Sequence, residues 1–206
     1  MKATDFNLSN DLVLDPSTGT ASFKDSRLVI FDANAIGLLR QNLIESLGFE
    51  QARKFFLRFG FQHGYSDFMQ MKINYEFDSE MDLLASGPVI HTWEGIVHAK
   101  PIDLRLDRDK NLFQFTGRWT NSYEAEQHLC HNETSKESVC WSLTGYASGW
   151  STAFYGKPVL ALEPLCVGKG DDHCEWKIMP LDQWGPEAKT YRDALLDLLT
   201  KGGTNG

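Results

Sequence analysis

The sequence predicts an α+β domain in which an antiparallel sheet is packed with helices around a small-ligand pocket. Three observations point to that class. Two long segments, 33–47 and 50–73, repeat apolar residues at helical spacing. Three β-leaning segments after Gly87-Pro88, at 89–98, 102–106 and 112–118, resemble an antiparallel meander. Further helical segments lie beyond them, and helices mixed with an antiparallel sheet define this class.

Residues 1–10 are polar, and Leu12-Val13-Leu14 is a short alternating stretch before a turn at 17–20. Residues 27–31, Arg-Leu-Val-Ile-Phe, lean to β structure, and Asp32 is placed to cap a helix beginning at Ala33. That helix carries Ile36, Leu39, Leu43 and Leu47 on one face, and Gly48 suits its stop. The next, over 50–73, is loaded with Phe55, Phe56, Phe59, Tyr65 and Phe68. Its Gly60 and Gly64 permit close packing while weakening local propensity. Gly87-Pro88 reads as a break. Pro101 and the charged run 107–110 separate the β segments. Helices are expected over 122–129 and 138–155, strands over 159–162 and 175–178, and a loop at 168–172. A last helix over 187–199 aligns Tyr191, Leu195 and Leu198, and the tail 201–206 reads as disordered or as a cut in a longer chain.

The 206 residues suffice for one substantial core or two small ones. No apolar run approaches the roughly 20 residues of a membrane span, and the N-terminus lacks a signal-peptide pattern. The net charge of −8 offers no basic face for nucleic acid. Neither a helix-turn-helix signature nor a phosphate-cradling GxxxxGK[ST] run is present. No nucleophile–base pair, cofactor fingerprint or open metal set marks an enzyme. Without a secretion signal the expected compartment is the reducing cytoplasm, where cysteines are more often free or metal-bound than bridged.

Four cysteines are present: Cys130, Cys140, Cys166 and Cys174. Two glycines in the loop Val-Gly-Lys-Gly-Asp-Asp-His let Cys166 and Cys174 approach each other. With Glu163 and Cys140 they form a possible tetrahedral zinc set, which would be structural because all four positions are protein ligands. Spacing leaves a second reading open, in which three thiols are simply buried beside a solvated glutamate. A rival set is His128, Cys130, His131 and Cys140, although on a helix His128 and Cys130 point apart. His173 is a further competitor.

Among the many aromatic residues, His91, Trp93 and Trp119 stand out as polar-capable groups near the β segments. If neighbouring strands bring His91 and Trp119 together, an imidazole and an indole N–H can grip one phenolic oxygen. The alternative is a core histidine bonded to backbone beside a packing tryptophan.

Six segments together resemble a known family: 43–48 (Leu-Ile-Glu-Ser-Leu-Gly), 53–60 (Arg-Lys-Phe-Phe-Leu-Arg-Phe-Gly), 87–91 (Gly-Pro-Val-Ile-His), 119–124 (Trp-Thr-Asn-Ser-Tyr-Glu), 139–147 (Val-Cys-Trp-Ser-Leu-Thr-Gly-Tyr-Ala) and 166–174. The chain is similar, from about residue 27 to 184, to the N-terminal sensory module of NtrC-type, sigma-54-dependent activators that respond to phenols and xylenes. That module contains a vinyl-reductase-type small-ligand-binding domain. The resemblance implies zinc on Cys140, Glu163, Cys166 and Cys174, and a phenol-sensing pair at His91 and Trp119. Xylene-type members carry tyrosine at the histidine position, so His91 tilts the expectation to phenols. Trp150, where relatives often have a smaller aromatic, is expected to narrow the pocket, with Leu84, Ala147, Phe154 and Ala161 as further lining. The resemblance also implies a homodimer and a downstream ATPase module that the effector releases from inhibition. The corresponding division is 1–30 as an N-terminal, candidate dimerisation segment, 31–180 as the sensor with its zinc site, and 181–206 as the start of an output linker helix and tail.

Overall fold

A computed structural model describes residues 1–201, so the tail expected at 201–206 lies almost wholly outside the described residues. The chain opens with a small antiparallel sheet, β1 (Leu12–Asp15), β2 (Thr20–Phe23) and β3 (Ser26–Leu28). Of the apolar run at 27–31, only its start pairs as a strand. Val29, Ile30 and Phe31 are 65–72% exposed. The Asp32 carboxylate accepts from the Ala35 amide at 2.8 Å and starts α1 (Ala33–Leu47), while Gly48 closes it at φ 82°.

Helix α2 (Phe49–Asn74) is the long aromatic helix and α3 (Glu80–Trp93) follows it. Strands β4 (His98–Asp107) and β5 (Leu112–Thr120) form a hairpin. After α4 (Tyr123–His131) and α5 (Trp141–Tyr155) come β6 (Val159–Leu165), β7 (Cys174–Pro180) and α6 (Lys189–Lys201). The main sheet is antiparallel in the order β4-β5-β7-β6. The α+β class holds, with helices packed on an antiparallel sheet.

The expected strand at 89–98 is corrected: residues through Trp93 belong to α3, and pairing begins only at His98. Pro88 sits inside that helix and does not end it. Proline removes the amide that Leu84 O would bind one turn earlier. Here the Trp150 indole N–H donates to Leu84 O at 3.1 Å in its place. Gly87 is the notch for that indole, because a Cβ there would lie 2.6 Å from the Trp150 ring. The helix expected over 138–155 begins later, at Trp141. Residues 138–140 are tied to β6 instead, with Ser138 Oγ donating to Glu163 O and the Cys140 amide to Glu163 Oε2.

Helices α2 and α5 meet backbone to backbone. A Cβ on Gly60 would fall 2.1 Å from Ser142 O, one on Gly64 2.2 Å from Tyr146 O, and one on Gly149 2.0 Å from Phe61 O. The opposite face of α5 turns Tyr146, Ala147, Trp150 and Ser151 toward the sheet. At its N-terminus, the buried Glu124 carboxylate accepts the Ser142 and Leu143 amides at 2.8 and 3.1 Å. Arg40 pairs with the same carboxylate at 3.1 Å and stacks 3.6 Å from the Trp141 ring, tying α1 and α4 to the start of α5.

Candidate functional site

Alternation builds one wall of a cavity. Phe113, Phe115, Gly117 and Trp119 share the buried face of β5, and Cys174, Trp176 and Ile178 that of β7. Facing them, α3 supplies Gly87, Pro88 and His91, and α5 supplies Tyr146, Ala147, Trp150 and Ser151. His91 and Trp119 therefore line one cavity from a helix and a strand, not from two neighbouring strands. Trp150 and Ala147 line it too, whereas Leu84, Phe154 and Ala161 do not. Leu84 meets Trp150 through its carbonyl, and Phe154 packs on Phe68 and Phe113. Trp93 is turned away, 45% exposed, with its indole N–H on Phe6 O.

The free volume is about 30 Å³, room for little more than water. Trp150 is the main filler, with its ring stacked on Tyr146 at 6.0 Å. Replacing Trp150 with phenylalanine should cost about 1–3 kcal/mol, because the buried Leu84 carbonyl loses its donor. Urea denaturation of the variant checks this, and unchanged stability would mean that the indole bond contributes nothing.

His91 is buried, and burial, with some help from the His63 charge, pushes its pKa down to about 3. The imidazole is neutral at physiological pH and so keeps one acceptor nitrogen. Its ring lies 3.6 Å from that of Tyr146, and among the described residues no side chain or carbonyl hydrogen-bonds to it. The Trp119 indole N–H is likewise without a protein partner. Trp176, which the sequence reading passed over, also lines the cavity, and its indole N–H is sealed and unpartnered. Its signal was the alternation Cys174, Trp176, Ile178 along β7.

The second constellation lies at the same end of the sheet, for Trp119 is the cross-strand partner of Cys174. Cys140, Glu163, Cys166 and Cys174 are all buried, with one ligand atom from each within 4.8 Å of the others. Cys140 Sγ stands 3.9 Å from both Cys166 Sγ and Cys174 Sγ. The Val139 and Val167 amides donate to Cys166 Sγ and Cys174 Sγ at 3.4 and 3.3 Å, and Ser122 Oγ lies 3.1 Å from Cys140 Sγ. Glu163 Oε1 is sealed without a partner. Burial pushes the Cys140 thiol and the Glu163 carboxyl well up, while hydrogen bonds from Cys140 and Cys174 hold Cys166 down. The cluster thus carries one anion readily and more only with a cation. It can hold a metal ion. The rival set does not assemble: Cys130 is exposed, and His128 Nε2 is taken by Glu133 O at 3.2 Å. His173 lies outside the cluster, 3.8 Å from Glu175.

Comparison with known proteins accords with this arrangement. Residues 7–107 match the family model described as activator of aromatic catabolism, and residues 119–180 match that of the vinyl-reductase-type domain. Over 179 residues, 86% of the chain, the sequence is 33% identical to the phenol regulator MopR of Acinetobacter guillouiae, covering 32% of that protein. Over 197 residues, 93% of the chain, it is 27% identical to the transcriptional regulatory protein XylR of Pseudomonas putida, covering 34% of it. The chain spans about a third of the length of these curated relatives. The crystal structure of the phenol-responsive sensory domain of the transcription activator PoxR with phenol has the same fold. Its TM-score is 0.85 at 30% identity, over 93% of this chain and 94% of that one. With both segments matched in order and nearly the whole fold shared with a sensory domain, this chain belongs to the family of aromatic-responsive sensory domains of transcription activators, an activator-of-aromatic-catabolism segment followed by a vinyl-reductase-type domain.

Proposed function

We propose that the chain senses phenol or a closely related small hydroxylated aromatic, and that it binds this effector without turning it over. The observation that carries the reading is the pair His91 and Trp119. A neutral imidazole and an indole N–H line one apolar cavity, and neither has a hydrogen-bond partner in the protein. The imidazole accepts the phenolic proton and the indole donates to the oxygen. A ring lacking the hydroxyl would leave both buried groups unpaired, which is the basis of discrimination. The tight cavity favours a single small ring, admitted by displacement of Trp150 or its neighbours. His91→Ala is expected to weaken phenol binding at least about tenfold, or about 1.4 kcal/mol. Isothermal titration checks this, and wild-type affinity in the variant would remove His91 from the site.

The cysteine cluster fits zinc as its structural ion. A tetrahedron with Zn–S bonds of about 2.3 Å has sulfur–sulfur edges of about 3.8 Å, close to the two 3.9 Å separations. The orphaned Glu163 Oε1 supplies an oxygen to the fourth position. Bound there, zinc would fasten α5, β6 and β7 together and do no chemistry, since all four ligands come from the protein.

The same reading places the domain in a cytoplasmic homodimer ahead of an ATPase module. The exposed Val29, Ile30 and Phe31, at the end of the 1–30 segment, are apolar surface that a second copy can cover. Helix α6 buries Ala194, Leu195 and Leu199, which makes it a stiff exit from the 31–180 sensor toward an output linker. Among the described residues no helix is long and apolar enough to cross a membrane. Effector binding acts on the output by favouring one of two conformations of sensor and linker.

A further inference from the structure

A second group of ligating side chains lies outside the thiol cluster. His63 and Asp67 on α2 and Glu94 at the C-terminal end of α3 each place one ligand atom within 4.8 Å of the others. We propose that His63, Asp67 and Glu94 form a second metal site, for a divalent first-row cation bound by one imidazole and two carboxylates, beside the aromatic cavity.

His63 and Asp67 are four residues apart on one helix, so they share a face, and His63 Nε2 stands 3.2 Å from Asp67 Oδ2. Glu94 closes the group from a different helix. Its Oε2 is sealed from solvent and finds no hydrogen-bond partner among the described residues. A sealed carboxylate oxygen without a donor is costly, and a cation between the three side chains removes that cost. Burial pushes the Glu94 carboxyl up to about 8, with the charge of Asp67 adding to the effect, and burial also pushes Asp67 up. Two crowded carboxylates of this kind hold either a proton or a metal. The His63 side chain is 37% exposed, which opens the group to ions from solvent.

The surroundings match an outer shell. Tyr146 Oη donates to Asp67 Oδ2 at 3.0 Å and so orients a ligating carboxylate. The Tyr146 ring meets that of His63 edge-on at 5.2 Å and lies 3.6 Å from that of His91. A cation here would fix the carboxylate that anchors Tyr146 against His91. One nitrogen and two carboxylates suit borderline and hard cations, whereas the cysteine cluster suits soft ones, so the two sites can be probed separately.

The test uses the chain with its cysteine cluster loaded with zinc, and Mn²⁺ as the probe, followed by the loss of free Mn²⁺ signal in electron paramagnetic resonance. The expected result is uptake of one Mn²⁺ per chain with no release of zinc, weakened at least about tenfold by Glu94→Gln and by His63→Ala. No uptake at millimolar Mn²⁺ overturns the proposal and leaves a carboxylate pair that shares a proton. Uptake that neither variant weakens overturns it too. If Glu94→Gln fails to fold by circular dichroism, His63→Ala, at the rim of the group, decides alone.

Discussion

A Cys174→Ser chain is expected to purify without zinc and with most of its folding stability lost. Cys174 begins β7 and stands 3.9 Å from Cys140, the residue just before α5. A metal held there joins the sheet to the helix that lines the cavity, and joins both to β6 through Glu163. Removing one thiolate leaves the other ligands buried and their cation under-coordinated. Structural zinc in small fingers supplies an apparent binding free energy of about 10–16 kcal/mol. A whole domain is stable by only about 5–15 kcal/mol. Aromatic binding should fail along with the metal, since Trp119 pairs directly with Cys174 across the sheet. Metal analysis and thermal denaturation read the result. A folded variant retaining one zinc per chain would show that the ligand set is wrong, and His131→Ala serves as the control that should keep its zinc.

The second large effect is expected from Gly149→Ala. In an exposed helix this substitution would stabilise by about 1 kcal/mol through propensity. Here the new methyl would sit 2.0 Å from Phe61 O, and its neighbour is backbone, which cannot rotate away. Helices α2 and α5 must then separate along a seam that also includes Gly60, Gly64 and Gly145. Overpacking of this kind costs about 1–3 kcal/mol and sometimes more, so the sign reverses and the net loss should reach about 3 kcal/mol. Because α5 carries Tyr146, Ala147 and Trp150 into the cavity, its displacement should weaken aromatic binding as well. A variant as stable as the parent in urea would mean that the seam is looser than its geometry requires.

The sequence disclosed much of this. Apolar spacing in 33–47 and 50–73, a good N-cap at Asp32 and a stop at Gly48 are local signals, and α1 and α2 appear where those signals put them. Gly60 and Gly64 were legible as close-packing positions, but not their partners on α5. Around 87–98 the local signal misled. Gly-Pro followed by Val89 and Ile90 looks like a break leading into a strand, because proline orphans a carbonyl and β-branched residues favour extension. What keeps that segment helical is Trp150, more than sixty residues away, whose indole fills the Gly87 notch and bonds Leu84 O.

The sites divide along the same line. The tight loop between Cys166 and Cys174 and the nearness of Glu163 are properties of local sequence, since a short glycine-containing turn can return the chain on itself. That Cys140 joins them, and that Cys130 and His128 do not, was settled by how α4 and α5 pack against β6 and β7. His91 and Trp119 were singled out by residue type and by likeness to a family. Their meeting across a cavity, with Tyr146 and Trp176 beside them, depends on crossing a helix over a sheet. By itself the sequence determined the helices, the strand alternation and the ligand types, because these depend on neighbours a few positions apart. The tertiary structure alone decided which of those residues share a buried space, because desolvation and steric fit act between side chains that the chain order keeps far apart.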